Sequence, residues 1–321
     1  MVIKGRRSGP GTARRRALAT AAGIVADMAL GEPAVRPHPV AAFGSLMRAV
    51  ERRGYRDRRT AGVVHAAVGA TTGAAAGFAL GSTTLSTYVA VAGRALRHAA
   101  LDVGQALGRG DLDAARSLLP ALVGRDATGL GAREIARAVV ESVAENSVDA
   151  VVAPALWGAV LGGPGALGYR AVNTMDASVG HRNPRYLRYG WASARLDDAA
   201  NLVPARVTAA LVAAVRPASA RAVWRAVRVD APAHPSPNAG VAEAAFAAAL
   251  GLRLGGVNRY GDRVEHRPAL GTGRAPDAGD ITRAVRLSHD VTTALVAALV
   301  LAGTAGAAGT AGAAGAAGAA R

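Results

Sequence analysis

The 321-residue chain contains no cysteine, which rules out disulfides, thiolate metal sites, iron–sulfur ligation and a thiol nucleophile. Aromatic residues amount to only 4%, so large rings fill little of any core. The 51% of hydrophobic residues are mostly alanine, valine and leucine, accompanied by 40 glycines. Small residues in that proportion suit helices whose backbones approach closely, as in membrane bundles. Acidic side chains are also scarce: 22 Asp and Glu stand against 38 Lys and Arg, a formal net charge of +16. Such an excess suits polyanionic substrates, anionic lipid headgroups or nucleic acid. The arginines are spread over several loops without a helix-turn-helix, zinc-finger or RNP-like pattern, so nucleic acid is not expected as a partner.

Charge is missing altogether from long stretches. From Thr60 to Gly93 there is no Lys, Arg, Asp or Glu, a length that serves one tilted span or two short helices. Ala150 to Tyr169 is a second uncharged run, broken by Pro154 and by "GGPG" at Gly162–Gly165. A third covers Ala199 to Val215 with Arg206 inside it, and a last one begins at Val291. Arginine-rich connections join these runs, as cytoplasmic loops do. The reading is an all-α, multi-pass integral membrane bundle whose polar segments carry the motifs. Residues 1–271 form the core, 272–302 a linker and C-terminal membrane helix, and 303–321 a low-complexity Ala/Gly tail. The segment Ala17–Leu30 follows a basic stretch like a signal peptide, but Asp27 inside it argues against that reading.

Several elements announce themselves locally. Asp111 is placed to cap the helix that follows "GRGD", Asp280 to cap the last helix, and "VNRYGDRVEHRP" alternates around a Gly-Asp turn as a small hairpin. An amphipathic helix from Arg133 runs through "VESVAENSVDAVVAPALW" into the second apolar run. Glu141, Glu145 and Asp149 recur at four-residue intervals there and so share one helical face. Three like charges on one stripe at the edge of an apolar segment call for a metal ion or a basic ligand.

Four other clusters are denser in polar residues than packing needs. "GEPAVRPHPVAAFG" fixes His38 between prolines. "VGRDATGL" offers Arg125, Asp126 and turn N–H groups to a phosphate. "NTMDASVGHRNPRYLRYGWASARLDDAANLVPAR" carries Asn173, Asp176 and Arg195. It also carries Asp197, Asp198 and Asn201, hard oxygen donors suited to Mg²⁺. "SPNAGVAEAAFAAALG" sets Asn238 and Gly240 at the start of a helix.

These five motifs, in this order between about Asp27 and Gly271, resemble the CobD/CbiB family of cobalamin biosynthesis, the adenosylcobinamide-phosphate synthases. The resemblance implies a multi-pass membrane enzyme that joins adenosylcobyric acid to (R)-1-amino-2-propanol, or its O-phosphate, through an amide bond, with ATP and Mg²⁺. It implies motif loops on the cytoplasmic side of the cell membrane, with other enzymes of the pathway as partners besides lipid. Taken with charge and spacing, Glu141, Glu145 and Asp149 are expected to do the chemistry by holding Mg²⁺ or the amine. Asp197, Asp198 and Asn201 are expected to form a metal or nucleotide position. His38, Arg125, Asp126, Asn146, Asn173, Asp176, Arg195 and Asn238 are expected to bind substrate or nucleotide.

The chain departs from the family pattern where Val241 and Ala242 replace a large aromatic and a proline, where Glu243 stands at an apolar position, and where Ala150 replaces a glycine. A corrinoid or ion transporter also suits intramembrane acids and broken helices, although no internal symmetry is visible. A noncatalytic scaffold for the pathway is a further reading. For the acidic stripe and the "NTMDASVG" cluster to share one face, Ala150–Tyr169 must double back as a hairpin instead of crossing once.

Overall fold

The computed structural model describes residues 10–124, 127–260 and 263–305. Among them the chain is almost wholly helical. The first half holds α1 (Pro10–Leu30), α2 (Pro39–Gly54), α3 (Arg59–Ala79), α4 (Thr83–Ala90), α5 (Gly93–Gly108) and α6 (Leu112–Leu118). Next come α7 (Ala132–Ser147), a π-helical turn (Val148–Val152), α8 (Ala153–Leu161), α9 (Gly163–Val179), α10 (Tyr186–Tyr189) and α11 (Trp191–Val215). The chain continues through α12 (Ala220–Val229) and α13 (Ala239–Leu250) to strands β1 (Leu254–Tyr260) and β2 (Arg263–Leu270), and ends in α14 (Ala278–Thr304).

The element ends follow local chemistry. The Asp111 carboxylate accepts the Ala114 N–H at 2.9 Å and caps α6, and Ser82 does the same for α4. The last helix differs from expectation by one turn: Asp277, not Asp280, is its N-cap and accepts from the N–H groups of Gly279 and Asp280. Asp280 reaches back to the Asp277 N–H in a reciprocal capping arrangement, and its buried carboxylate lies between Arg274 and Arg283. The expected hairpin is present as an antiparallel β1–β2 pair; its Gly261-Asp262 turn lies outside the described residues.

Three helices, α3, α11 and α14, have the length and apolarity to cross a membrane, with mean hydropathies of 1.2, 1.3 and 1.4. Their outward faces fit that solvent: Phe78 is 80% exposed and Val203 65% exposed, costly in water but not against lipid. The uncharged stretch from Thr60 therefore divides into one long helix, α3, and one short one, α4. The run from Ala150 does double back: α8 stops at Gly162, whose φ of 74° is open only to glycine, and α9 starts at once with Pro164 in its first turn. The last helix packs against α1, α5 and α7, so it belongs to the same core as the rest.

Helix α3 lies on α9 at backbone distance. The sequence "GATTGAAAG" puts Gly69, Gly73 and Gly77 one turn apart on a single stripe. A Cβ at Gly73 would sit 2.4 Å from the Ala171 Cβ, and one at Gly77 only 2.2 Å from the Gly163 carbonyl oxygen. This is the small-xxx-small logic of membrane helix pairs, where close approach supplies dispersion contact that burial from water cannot. Gly73→Val is expected to cost about 1–3 kcal/mol or more by overpacking, read as a lowered thermal midpoint of the detergent-solubilised protein. Gly54→Ala, whose added methyl meets open space, should leave the midpoint nearly unchanged.

Candidate active site

The acidic stripe sits on a helix that is locally widened by i→i+5 hydrogen bonding. α7, the π turn and α8 run on as one axis, and Asp149 lies within the π turn. Such turns add a residue without ending the helix and are frequent at functional sites. Glu141 and Glu145 line a polar cavity of about 250 Å³, while Glu145 and Asp149 line a smaller one of about 30 Å³ beside it. Glu145, Ser236 and Ala239 border both, so the two are parts of one cleft.

The inner end of the cleft gathers residues from three segments. Asp149 comes from the π turn, Asp197, Asp198 and Asn201 from α11, and Asn238 from the start of α13. A chain of hydrogen bonds fixes them. The Tyr169 hydroxyl donates to the Asn201 side-chain oxygen at 2.8 Å and lies 3.4 Å from Asp149. The Asn201 amide donates to Asp197 at 3.0 Å, and Asn173 approaches the other Asp197 oxygen at 3.3 Å. Asn201 is therefore spoken for at both ends of its amide and orients Asp197 from a buried position. Asn238 donates to the Asp198 carbonyl at 2.7 Å and accepts from Arg206 at 2.9 Å. Arg195 stands at the exposed rim, 3.6 Å from the Asp198 carboxylate.

Repulsion marks this end electrostatically. Burial pushes the Asp149 carboxyl well above its ordinary range, and the nearby charges of Asp197, Glu145 and Asp176 add to the effect. Asp176, on α9, is pushed up to about 6 by burial and then by Asp198 and Glu145. Among the described residues no three His, Asp or Glu side chains converge tightly enough to enclose a metal by themselves.

The outer end is held by a different network. A β-bulge between Leu254 and Gly256 frees the Gly255 N–H to donate to Glu141 at 2.9 Å, and Arg137 donates to the Gly255 carbonyl and to that of Val257. Glu141, 3.7 Å from Arg137, thus ties the hairpin to α7 as well as lining the cavity. His234 is buried opposite. Arg267 lies 2.9 Å from its Nε2, and the Ser236 N–H and carbonyl each lie 3.1 Å from Nδ1. The Glu243 carboxylate lies 3.7 Å from the same Nε2. Burial holds His234 below its ordinary value, against the Ser236 carbonyl, which favours the charged form; Arg267 disfavours it too.

Of the residues singled out in the sequence, Glu141, Glu145, Asp149, Asn173, Asp176, Arg195, Asp197, Asp198, Asn201 and Asn238 come together here. Asn146 does not: its amide turns back onto Ser142 of its own helix. His38, at the start of α2, lines neither part of the cleft. Arg125 and Asp126 lie outside the described residues, although Val123 and Gly124 before them border the outer cavity. Tyr169, His234, Ser236 and Arg267 were not anticipated. Tyr169 carried the one signal available, a hydroxyl at the end of an uncharged run.

The fold is a helical bundle with three helices long and apolar enough to cross a membrane, and it carries a carboxylate-lined cleft. The comparisons narrow this. Residues 20–288 match the family described as CobD/Cbib protein. The Cobalamin biosynthesis protein CobD of Mycobacterium tuberculosis H37Rv is 48% identical over 306 residues, 90% of this chain and 97% of that protein. Proteins of the same name from Geobacter metallireducens and Chromobacterium violaceum are each 42% identical, over 85% and 82% of this chain and 92% and 89% of their own lengths. No solved structure matches significantly. The chain belongs to the CobD/CbiB family, and with it to cobalamin biosynthesis.

Two outcomes follow from the geometry. An unfolded Asp176 loses its proton near 3.8 and the folded one near 6. The folded state therefore binds more protons between those values, stability falls as pH rises through them, and the penalty, at most ~3 kcal/mol, is complete above about pH 6. Asp176→Asn should melt higher than wild type at pH 8 and converge with it near pH 4. Because the chain lacks cysteine, single cysteines at the exposed positions Ala177 and Ala233 report sidedness directly. Both should react with an impermeant maleimide from the same face of the membrane.

Proposed function

We propose that this protein is the amide-forming ligase of the pathway, joining adenosylcobyric acid to (R)-1-amino-2-propanol or its O-phosphate to give adenosylcobinamide or its phosphate, with ATP and Mg²⁺. The observation that carries the reading is the single cleft in which Glu145 faces both a cavity of about 250 Å³ and a tight cluster of carboxylates.

The reaction needs two kinds of polar site. A carboxylate is a poor acylating agent because oxide is a poor leaving group, so its oxygen must first accept a phosphoryl group, with ADP released. The ammonium gives up one proton to become a free amine, whose nitrogen attacks the acyl carbon; the C–N bond forms, the C–O bond breaks with phosphate leaving, and the nitrogen gives up a second proton. Glu145 is placed to attract the ammonium group and to take that proton as a general base, with Glu243 beside it. Phosphoryl chemistry calls for cationic neutralisation. Mg²⁺ typically uses one or two protein carboxylates and completes its shell with water and phosphate oxygens. The inner end fits that donor set: it has carboxylates of Asp149, Asp197 and Asp198 under mutual repulsion and lacks a closed three-acid cage. A cation held there would shield developing charge on the phosphoryl group, and Asn201, Asn173 and Tyr169 keep Asp197 and Asp149 in place.

The test supplies membranes containing the protein with adenosylcobyric acid, the amine or its phosphate, and MgATP. A corrinoid product whose mass reports amide formation is expected from wild type. Glu145→Gln should lower its rate roughly 100-fold or more, and chelation of Mg²⁺ should abolish it. Folded wild-type protein that yields no amide with either amine overturns the reading.

A further inference from the structure

A second cavity, of about 430 Å³, opens on the far side of Arg267. Its charged lining is Arg133 and Arg137 from α7, Arg253 and Arg267 from the segment around the hairpin, and one acid, Glu134. The Glu134 carboxylate is turned to the Gly131 N–H at 2.8 Å. Arg137 is set by the Gly255 and Val257 carbonyls with Glu141 nearby, and Arg267 by Glu265 at 2.9 Å and by His234. Arg133 and Arg253 have no acidic partner among the described residues and are exposed. The wall between them is bare backbone. Gly255 and Gly256 have φ of 86° and 107°, and a Cβ at Gly256 would come 3.0 Å from the Arg137 guanidinium.

Four guanidinium groups around one opening repel one another and carry fork-shaped donors that match phosphate oxygens. Two are anchored and two are uncompensated, an arrangement that a dianion relieves and a neutral ligand does not. Arg267 lines both this cavity and the outer cavity that holds Glu141 and Glu145. The acid-lined cleft and the arginine-lined cavity thus meet at Arg267, one anionic and the other cationic. A small molecule with a phosphate at one end and an ammonium at the other matches that order of charge.

We propose that the arginine-lined cavity binds the phosphate group of a small-molecule co-substrate whose other end reaches the carboxylates. The proposal rests on the ligase reading for the identity of the co-substrates, but its test is a binding measurement that needs no turnover. Full-length protein in detergent is titrated calorimetrically with (R)-1-amino-2-propanol O-phosphate, with the unphosphorylated amine and with ATP. Arg133→Gln with Arg253→Gln should weaken the amine phosphate ~10-fold and leave the unphosphorylated amine unchanged. The Lys pair at the same positions should retain part of the affinity. Weakening confined to ATP would also support a phosphate site and identify the nucleotide as its bearer. Arg221→Gln with Arg225→Gln removes the same charge from exposed positions on α12 and serves as the control. Equal affinities for all three probes in wild type and the Arg133/Arg253 variant, or failure of wild type to bind any of them, overturns the proposal. A missing amide product alongside intact phosphate binding would instead count against the ligase reading alone.

Discussion

Like-charge repulsion among carboxylates brought together at the end of a bundle is the constraint around which this structure is arranged. Asp149, Asp176, Asp197 and Asp198 come from three separate segments, and burial together with neighbouring carboxylates raises Asp149 and Asp176 in energy. Such a cluster persists only if the surrounding chain over-determines it. The Tyr169–Asn201–Asp197–Asn173 chain of hydrogen bonds does so from the inside, and the Asn238 bridge between Asp198 and Arg206 does so from the loop side. The packing behind the cluster is tight because α3 and α9 meet backbone to backbone, so a displaced carboxylate has little space to move into.

The two ends of the cleft solve opposite problems with the same element. Arg133, Arg137, Glu141 and Glu145 follow one another along one face of α7 at four-residue intervals, and the β-bulge converts what would be a ladder hydrogen bond into a contact with Glu141. A bulge re-aims backbone groups at the expense of local pairing; here the hairpin is coupled to the functional helix through one N–H and two carbonyls. The result is an acidic cleft and a basic cavity that meet at Arg267, in a protein whose net charge is strongly positive.

Much of this was legible in the sequence, and the reasons differ by residue. Glu141, Glu145 and Asp149 declare a shared face because helical spacing is local, and Asp111 declares a cap because capping is decided within three residues. The break at Gly162 signals the doubling back of α8 and α9, since glycine and proline restrict backbone geometry whatever surrounds them. Asp280 misled by one turn because both it and Asp277 carry capping chemistry, and the choice between them was settled by Arg274 and Arg283. His234, Ser236 and Arg267 were silent. They meet the acids only through tertiary folding, and a loop reading "APAHPSPNAG" gives no hint that its histidine is buried against an arginine 33 residues later. Asn146 shows the converse: its place within the stripe suggested a role, yet the nearest acceptors were on its own helix.

The glycine stripe of α3 carries a consequence for how such a chain can change over time. Gly69, Gly73 and Gly77 lie in register with α9, while the opposite face, with Phe78 and Val64, looks outward. Substitution on the outward face alters only which apolar group is displayed. A single-residue insertion within the stripe turns everything beyond it by about 100°, replacing glycine with side chains along the seam. Drift by exchange is therefore open to this helix and drift by length is closed, so its spacing is expected to outlast its composition.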